Sequence, residues 1–269
     1  MPRERIRDEL FSPDFLARVQ PKPSGCRVEA RRTFKELFRQ LCMADMPTFR
    51  RLPLHAPPPT RDRHALFLEF RPLPHVEAVV RNAMHRLGPR WAHTIICGPD
   101  NVDMMRALAP PGVDVCCLPH ARGMTLPRYN ELLTSARFWE GLEGEHLLLH
   151  QEDSFIFRSS DLEPFLAYDY VGAPWRNGRV GNGGFSLRRR SAMLRLCRAS
   201  APTRHAEDLH FDQLLRAHGA RVAPLEVARQ FAMENVPHDD AIAGHQWWWA
   251  HRPAHWADLV WRALDEAVQ

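Results

Sequence analysis

Long apolar runs are missing from this sequence. No stretch approaches the roughly 18 to 20 residues that cross a bilayer. The start, Met1-Pro2-Arg3-Glu4-Arg5, leads into mixed charge without the apolar core of a secretory leader. The expected location is therefore cytoplasmic, with no transmembrane segment. Cysteine is sparse and unpatterned. Cys26, Cys42, Cys97, Cys116, Cys117 and Cys197 fit no zinc spacing, and a chain this long needs no disulfide framework, so reduced core thiols are expected. Lysine is nearly absent: of 36 basic residues only Lys22 and Lys35 are lysine, and nothing in the sequence explains that bias. The glycine-rich stretch lacks the lysine of a phosphate-binding P-loop and does not spell the dinucleotide pattern G-x-G-x-x-G. Strong net charge is lacking too. A balance of +4 is too modest for the basic face of a nucleic-acid-binding protein, so no nucleic-acid partner is expected.

What is present divides the 269 residues into two regions. Residues 1–63 hold 14 basic and 8 acidic residues, a net of +6, so the rest of the chain sums to −2. Prolines at 13, 21, 23, 47, 53, 57, 58 and 59 break this region repeatedly. One amphipathic helix is expected at about 30–43, with Phe34, Leu37, Phe38 and Leu41 on one face. Ala56-Pro57-Pro58-Pro59-Thr60 reads as a stiff linker. The region is expected to be an N-terminal helical and irregular extension packed on the core, with a partner- or membrane-binding arm as the alternative.

From His64 to Gln269 a different pattern holds. Apolar strands are expected at 65–70, 91–97, 113–118 and 146–150. Helices are expected between them, at 76–87 with Gly88 ending it, at about 100–108, and from Pro127 to about 140. Strands alternating with helices imply right-handed crossovers and an α/β fold with a mostly parallel sheet flanked by helices. In such sheets ligands bind beyond the carboxyl ends of the strands. That rule selects Glu69–Arg71, Cys97–Asn101 and Gln151–Asp153. Beyond them lie a Gly-rich turn at 181–184 and helices at about 189–199 and 206–218.

Four groups carry chemistry. Gln151-Glu152-Asp153 closes an apolar strand, where a carboxylate can hold a hard cation against a diphosphate, or simply cap a turn. In Gly181-Asn182-Gly183-Gly184 the glycines allow close backbone approach to a ligand, or a sharp turn between strands. Glu207-Asp208 begins a helix, where the dipole favours negative charge and one carboxylate could act as general base. Gly244-His245-Gln246-Trp247-Trp248-Trp249 offers an imidazole for a metal and flat rings for sugar stacking, or a packed core segment. His238, His251 and His255 flank it.

The order of these blocks is informative. Leu68-Glu69-Phe70-Arg71-Pro72-Leu73-Pro74-His75, Gln151-Glu152-Asp153-Ser154, Asp169-Tyr170-Val171-Gly172-Ala173-Pro174-Trp175, Gly181-Asn182-Gly183-Gly184-Phe185-Ser186-Leu187-Arg188, Glu207-Asp208 and Gly244-His245-Gln246-Trp247 follow one another. Together they resemble a little-characterised family of glycosyltransferase-like domains with bacterial, algal, fungal and large-virus members. The resemblance covers about 64–250. It implies a GT-A (Rossmann-like) fold with an acidic Asp-x-Asp metal motif at 151–153. Here Gln151 takes the first place, so Asp153 is the matching ligand, and His245 matches the late histidine that joins the metal or diphosphate. The resemblance places the base of inverting members at Glu207-Asp208, with Asp208 preferred. It puts Gly183 and Gly184 on the acceptor and donor-sugar side; Asn182, Trp175 and Trp247 are further candidates for acceptor or sugar binding.

The reading is a glycosyltransferase moving a sugar from a nucleotide-sugar donor to a hydroxyl acceptor, assisted by Mn²⁺ or Mg²⁺ and inverting. Donor binding is assigned to Glu69, Arg71, Gly98, Gln151, Glu152 and Asp153. Two rivals remain. One is a non-catalytic sugar-nucleotide or glycan-binding module, favoured by Gln151. The other is a metal-dependent phosphoester hydrolase built on His238-Asp239-Asp240 and His245.

Overall fold

The computed structural model describes residues 3–14, 26–159, 162–250 and 255–268; of residues 10, 11 and 26–31 it describes the backbone alone. Pro21, Pro23, His251 and the Cys26 side chain therefore lie outside the described residues.

The centre is a six-stranded sheet. Its strands are β1 (Arg63–Leu68), β2 (Ala92–Cys97), β3 (Val113–Cys117), β4 (His146–His150), β6 (Tyr170–Gly172) and β7 (Phe185–Arg189), in the order β3-β2-β1-β4-β7-β6. β1 pairs in parallel with β2 and β4, and β2 with β3. β7 runs antiparallel to both β4 and β6, so it alone opposes the common direction. The mostly parallel α/β sheet expected from the sequence is thus present. β1, β2 and β4 are nearly continuous apolar runs because helices cover both of their faces.

Crossover helices α4 (Val76–Leu87) and α5 (Val102–Leu108) follow β1 and β2. Gly88 closes α4 at φ +73°, a backbone state that costs glycine little. The helix expected from Pro127 to about 140 is in fact two, α6 (Leu126–Leu133) and α7 (Ala136–Glu140). The Thr134 hydroxyl donates to the Asn130 carbonyl at 2.8 Å, and the Trp139 indole donates to the Leu133 carbonyl at 2.7 Å. Side chains thus satisfy the carbonyls that a continuous helix would have used, and the ladder breaks there.

The less regular second half contains a small sheet that the sequence pattern does not reveal. It consists of β5 (Ser154–Ile156), β8 (Ala232–Met233) and β9 (Ala243–His245), in the order β5-β9-β8. Strands of two and three residues are too short to show a period of two. Helices α8 (Arg190–Arg198), α9 (Glu207–Ala217), α10 (Leu225–Phe231) and α11 (His255–Ala267) complete this half.

The N-terminal region joins the same core. It forms α1 (Arg3–Phe11), α2 (Cys26–Ala44) and α3 (Met46–Arg51), followed by the exposed, irregular proline segment expected as a linker. On α2 the four expected apolar residues, Phe34, Leu37, Phe38 and Leu41, are all buried. They share one cluster with Phe155, Phe157, Trp247, Trp248 and Trp256, so packing is continuous across the expected boundary at 63/64. Phe38 meets Trp247 edge-on at 5.3 Å, and Phe34 lies stacked on Trp248 at 6.1 Å. α1 is tied to α11 by Arg7–Asp258 and Arg3–Asp265 ion pairs. Among the described residues no helix is long and apolar enough to cross a membrane.

Phe38 is fully buried between the central helices and the tryptophans. Phe38→Ala should lower the unfolding free energy by about 3–5 kcal/mol through lost contacts and a residual cavity. A urea melt reads this directly, and a loss below about 1 kcal/mol would show that α2 is not held by this packing.

Candidate functional site

A cleft of about 990 Å³ opens at the carboxyl ends of β1 and β4. Its floor is the tripeptide that follows β4. Glu152 and Asp153 are both buried there. Two adjacent buried carboxylates need cations or donors close by. Glu152 accepts from Arg39 at 2.9 Å, Arg71 at 3.2 Å and His75 at 3.0 Å, with Lys35 at 3.4 Å. Burial pushes its carboxyl up, but His75, Arg39 and Lys35 outweigh that and hold it at about 2. Glu152 is thus a charge hub, saturated by its own chain. Gln151 turns aside and donates to the Tyr129 hydroxyl at 3.0 Å.

Asp153 has a different setting. Its Oδ2 lies 2.5 Å from the Lys35 ammonium and accepts from the Gln246 amide at 2.7 Å. Among the described residues its Oδ1 accepts no hydrogen bond, and it faces His245 Nε2 at 3.3 Å. Burial raises the Asp153 carboxyl, but His245 and Lys35 together hold it well below the ordinary range. His245 sits on β9, opposite Ser154 of β5. Burial pulls its imidazolium down, yet Asp153 and Glu234 push it to about 9. Glu234 stands behind the ring, 3.8 Å from His245 Nδ1. Gln246 takes the left-handed backbone state, φ 48°, unusual for a side-chain-bearing residue. That turn aims its amide at Asp153 while its N–H donates to the Asp153 carbonyl at 3.0 Å.

The opposite wall is built on Arg188, the last residue of the glycine-rich block. Its buried guanidinium donates to both oxygens of Glu207 at 3.1 Å, and stands over the Tyr170 and Phe211 rings. Glu207 is therefore committed to an internal pair. Asp208 beside it is half-buried and, among the described residues, accepts only from the Leu209 N–H, at 2.8 Å. Burial first, and the Glu207 charge second, raise its pKa. The glycines separate these two centres by contact. A Cβ on Gly183 would come 2.2 Å from Glu207, and one on Gly184 would come 2.3 Å from the His245 ring. Asn182 fixes the turn by accepting from the Gly184 N–H at 3.1 Å. Trp175 stands half-buried at the cleft edge, its ring against Gly181.

Most expected site residues therefore line one cleft: Glu69, Arg71, Gln151, Glu152, Asp153 and His245 on one side, Trp175, Asn182, Gly183, Gly184, Glu207 and Asp208 on the other. Glu69 acts through Arg71, whose guanidinium it clamps at 2.7 and 2.8 Å. Two assignments are corrected. Trp247 is fully buried against Phe38, Phe155 and Phe157, so it offers no face to a sugar. Gly98 does not line the cleft; its N–H donates to Asn101 at 3.0 Å and a Cβ there would meet the Ala121 carbonyl at 2.9 Å. The segment His238-Asp239-Asp240 also lies outside the cleft lining, and Asp240 pairs with Arg158, so of the hydrolase reading's residues only His245 lines the cleft. Lys35, Arg39, Arg188 and Glu234 serve the site without being expected there from the sequence; of these, Arg188 closes the glycine-rich motif and carries a usable signal.

Among the described residues no three His, Cys, Asp or Glu side chains converge as a dedicated metal site. Asp153 Oδ1, unpartnered by a hydrogen bond, and His245 Nε2 do face each other. Glu234 lies 3.8 Å behind Nδ1, close enough for charge attraction but too far for a hydrogen bond. Two donors suit a cation that arrives with phosphate oxygens and water, as magnesium does. His245 must first lose its proton to offer a lone pair.

Two outcomes follow. Gly184→Ala should push the His245 ring off Asp153, and its NMR titration should fall from about 9 towards the ordinary value of 6.5. An unchanged titration would remove the close contact from the account. Glu152, held at about 2 against an ordinary 4.5, stabilises the fold fully above about 4.5 and loses that contribution as pH falls towards 2. Urea midpoints between pH 6 and 3 should therefore drop in the native chain and flatten in Glu152→Gln.

Comparison with known proteins adds the following. No curated protein matches the sequence. Among solved structures the chain is similar to the apo form of the glycosyltransferase GlyE from Streptococcus pneumoniae TIGR4, with a TM-score of 0.48 and 11% identity. The likeness covers 77% of this chain and 63% of that one, so the chain spans less than two thirds of GlyE's length. Residues 113–247, half of the 269, match a family described as protein of unknown function (DUF5672), and the chain belongs to that family.

Proposed function

We propose that this protein is a glycosyltransferase that moves a sugar from a nucleotide-sugar donor to a hydroxyl acceptor, with inversion. One observation carries the reading. A strand-end cleft holds two separate acidic centres, Asp153–His245 and Asp208, on either side of Gly183-Gly184. The motif resemblance supports the class, and this geometry supports a separate task for each centre.

The donor diphosphate is assigned to the Asp153–His245 side, with Arg71 at its mouth. A Mn²⁺ or Mg²⁺ ion held by Asp153 and His245 would neutralise charge developing on the departing diphosphate. Asp208 takes the proton from the acceptor hydroxyl as that oxygen bonds the anomeric carbon and the diphosphate leaves with the bonding electron pair. Its elevated pKa and its freedom from ion pairs among the described residues suit this task better than the Arg188-bound Glu207. Trp175 offers its half-buried ring as a face for a sugar. The saturation of Glu152 and the glutamine at 151 favour a second reading, a sugar-nucleotide-binding module without turnover.

Release of nucleoside diphosphate from a panel of donors, with sugar acceptors present, separates the two. Turnover is expected, and Asp208→Asn should reduce kcat by about 10²–10⁴ with donor affinity kept. Asp153→Ala should weaken donor binding and turnover together. Because the base works ionised and its pKa is raised, kcat/KM should fall on the acid side of the profile, and Asp208→Asn should lose that limb. Donor binding without turnover would establish the module instead, and full activity in both folded variants would sink the residue assignment.

A further inference from the structure

The N-terminal helix α2 lies outside the matched residues 113–247, yet it supplies cleft lining. Its two faces do different things. Phe34, Leu37, Phe38 and Leu41 enter the core, where Trp247, Trp248 and Trp256 hold them. Arg32, Lys35 and Arg39, at i, i+3 and i+7, form one stripe along the other face and line the cleft. The Gly-His-Gln-Trp block thus positions two things at once. His245 faces Asp153, and Trp247, two residues on, seats the helix that carries the basic stripe.

The stripe brings three cations to the two buried acids at its foot. Glu152 accepts from Arg39, Arg71 and His75, and Asp153 accepts from Gln246 and faces His245. Lys35 adds a further ammonium between them, 3.4 Å from Glu152 and 2.5 Å from Asp153, with its side chain partly open to the cleft. Arg32 is exposed and makes no ion pair or hydrogen bond among the described residues. In a chain with only two lysines, the one at this point is informative. An ammonium is a compact point charge whose three rotatable donors are not confined to one plane, so they can face two carboxylates and a phosphate together.

We infer that the Arg32–Lys35–Arg39 face of α2 is a diphosphate-binding surface, with Lys35 bridging Asp153 and the ligand and Arg32 gripping the ligand's outer oxygens. The inference rests on the glycosyltransferase reading for its natural ligand, the diphosphate of the donor. It makes the N-terminal region part of the donor site.

The test is calorimetric titration of the full chain with inorganic pyrophosphate, with uridine, guanosine and adenosine 5′-diphosphates, and with the bare nucleosides, each with and without Mg²⁺. The native chain should bind pyrophosphate and at least one nucleoside diphosphate. Arg32→Ala and Lys35→Met should each weaken both by about tenfold or more, the size of one charge-assisted hydrogen bond, and leave nucleoside binding unmoved. Lys35→Arg should recover only part of the loss. Thermal unfolding checks that each variant is folded, and exposed Arg32 carries little risk in that respect. Failure of the native chain to bind any diphosphate would overturn the inference, as would diphosphate affinity within twofold of native in both variants. If a nucleotide sugar is turned over while the variants keep its affinity, the α2 surface is refuted and the glycosyltransferase reading stands. If pyrophosphate binding depends on Arg32 and Lys35 while no nucleotide sugar competes for it, the surface stands and the glycosyltransferase reading falls.

Discussion

Two neighbouring carboxylates with almost no solvent around them govern this structure. Glu152 and Asp153 end the central strand at a point where water cannot neutralise them. A buried charge is tolerable only with partners within contact distance. Here the partners come from three distant parts of the chain: Lys35 and Arg39 from α2, Arg71 and His75 after β1, and His245 with Gln246 from β9 and its exit. Sheet, N-terminal helix and small second sheet are therefore electrostatically linked at one point. The aromatic cluster beneath it, from Phe38 to Trp256, supplies the apolar burial that keeps those segments in place.

The second pair, Arg188–Glu207, obeys the same rule with a different result. Its guanidinium is fully buried, bonded to both Glu207 oxygens and surrounded by aromatic faces, so the pair is a rigid post rather than a titrating group. It leaves Asp208 as the carboxylate of that wall with spare capacity. Identical side-chain chemistry at 207 and 208 thus has opposite uses, decided by which residue turns towards Arg188. Gly183 and Gly184 are small because these two centres press on them from either side.

Preorganised polar groups are what a site needs when charge develops during a reaction. The cleft meets that condition on both walls. Glu69 clamps Arg71, Glu234 stands behind His245, and Gln246 accepts a strained backbone to reach Asp153. Each of these residues acts on a neighbour rather than facing the cleft with a free group. Such supporting residues carry no signal of their own in a single sequence.

The sequence by itself determined a good deal. Apolar runs separated by helical spacing were enough for the four parallel strands, their crossovers and the strand-end location of the site, because periodicity and burial are local properties. The motif order led to Asp153, Asp208 and His245. The face of α2 with Phe34 and Phe38 was also legible. Tertiary structure decided everything that depends on who meets whom. It turned Trp247 from a sugar platform into the seat of α2, packed Gly98 away from the cleft, and separated Glu207 from Asp208 in role. It also brought Lys35 beside Asp153, 118 positions along the chain. Short-range patterns record which face of an element is apolar. They do not record long-range charge pairing, and in this protein such pairing builds the site.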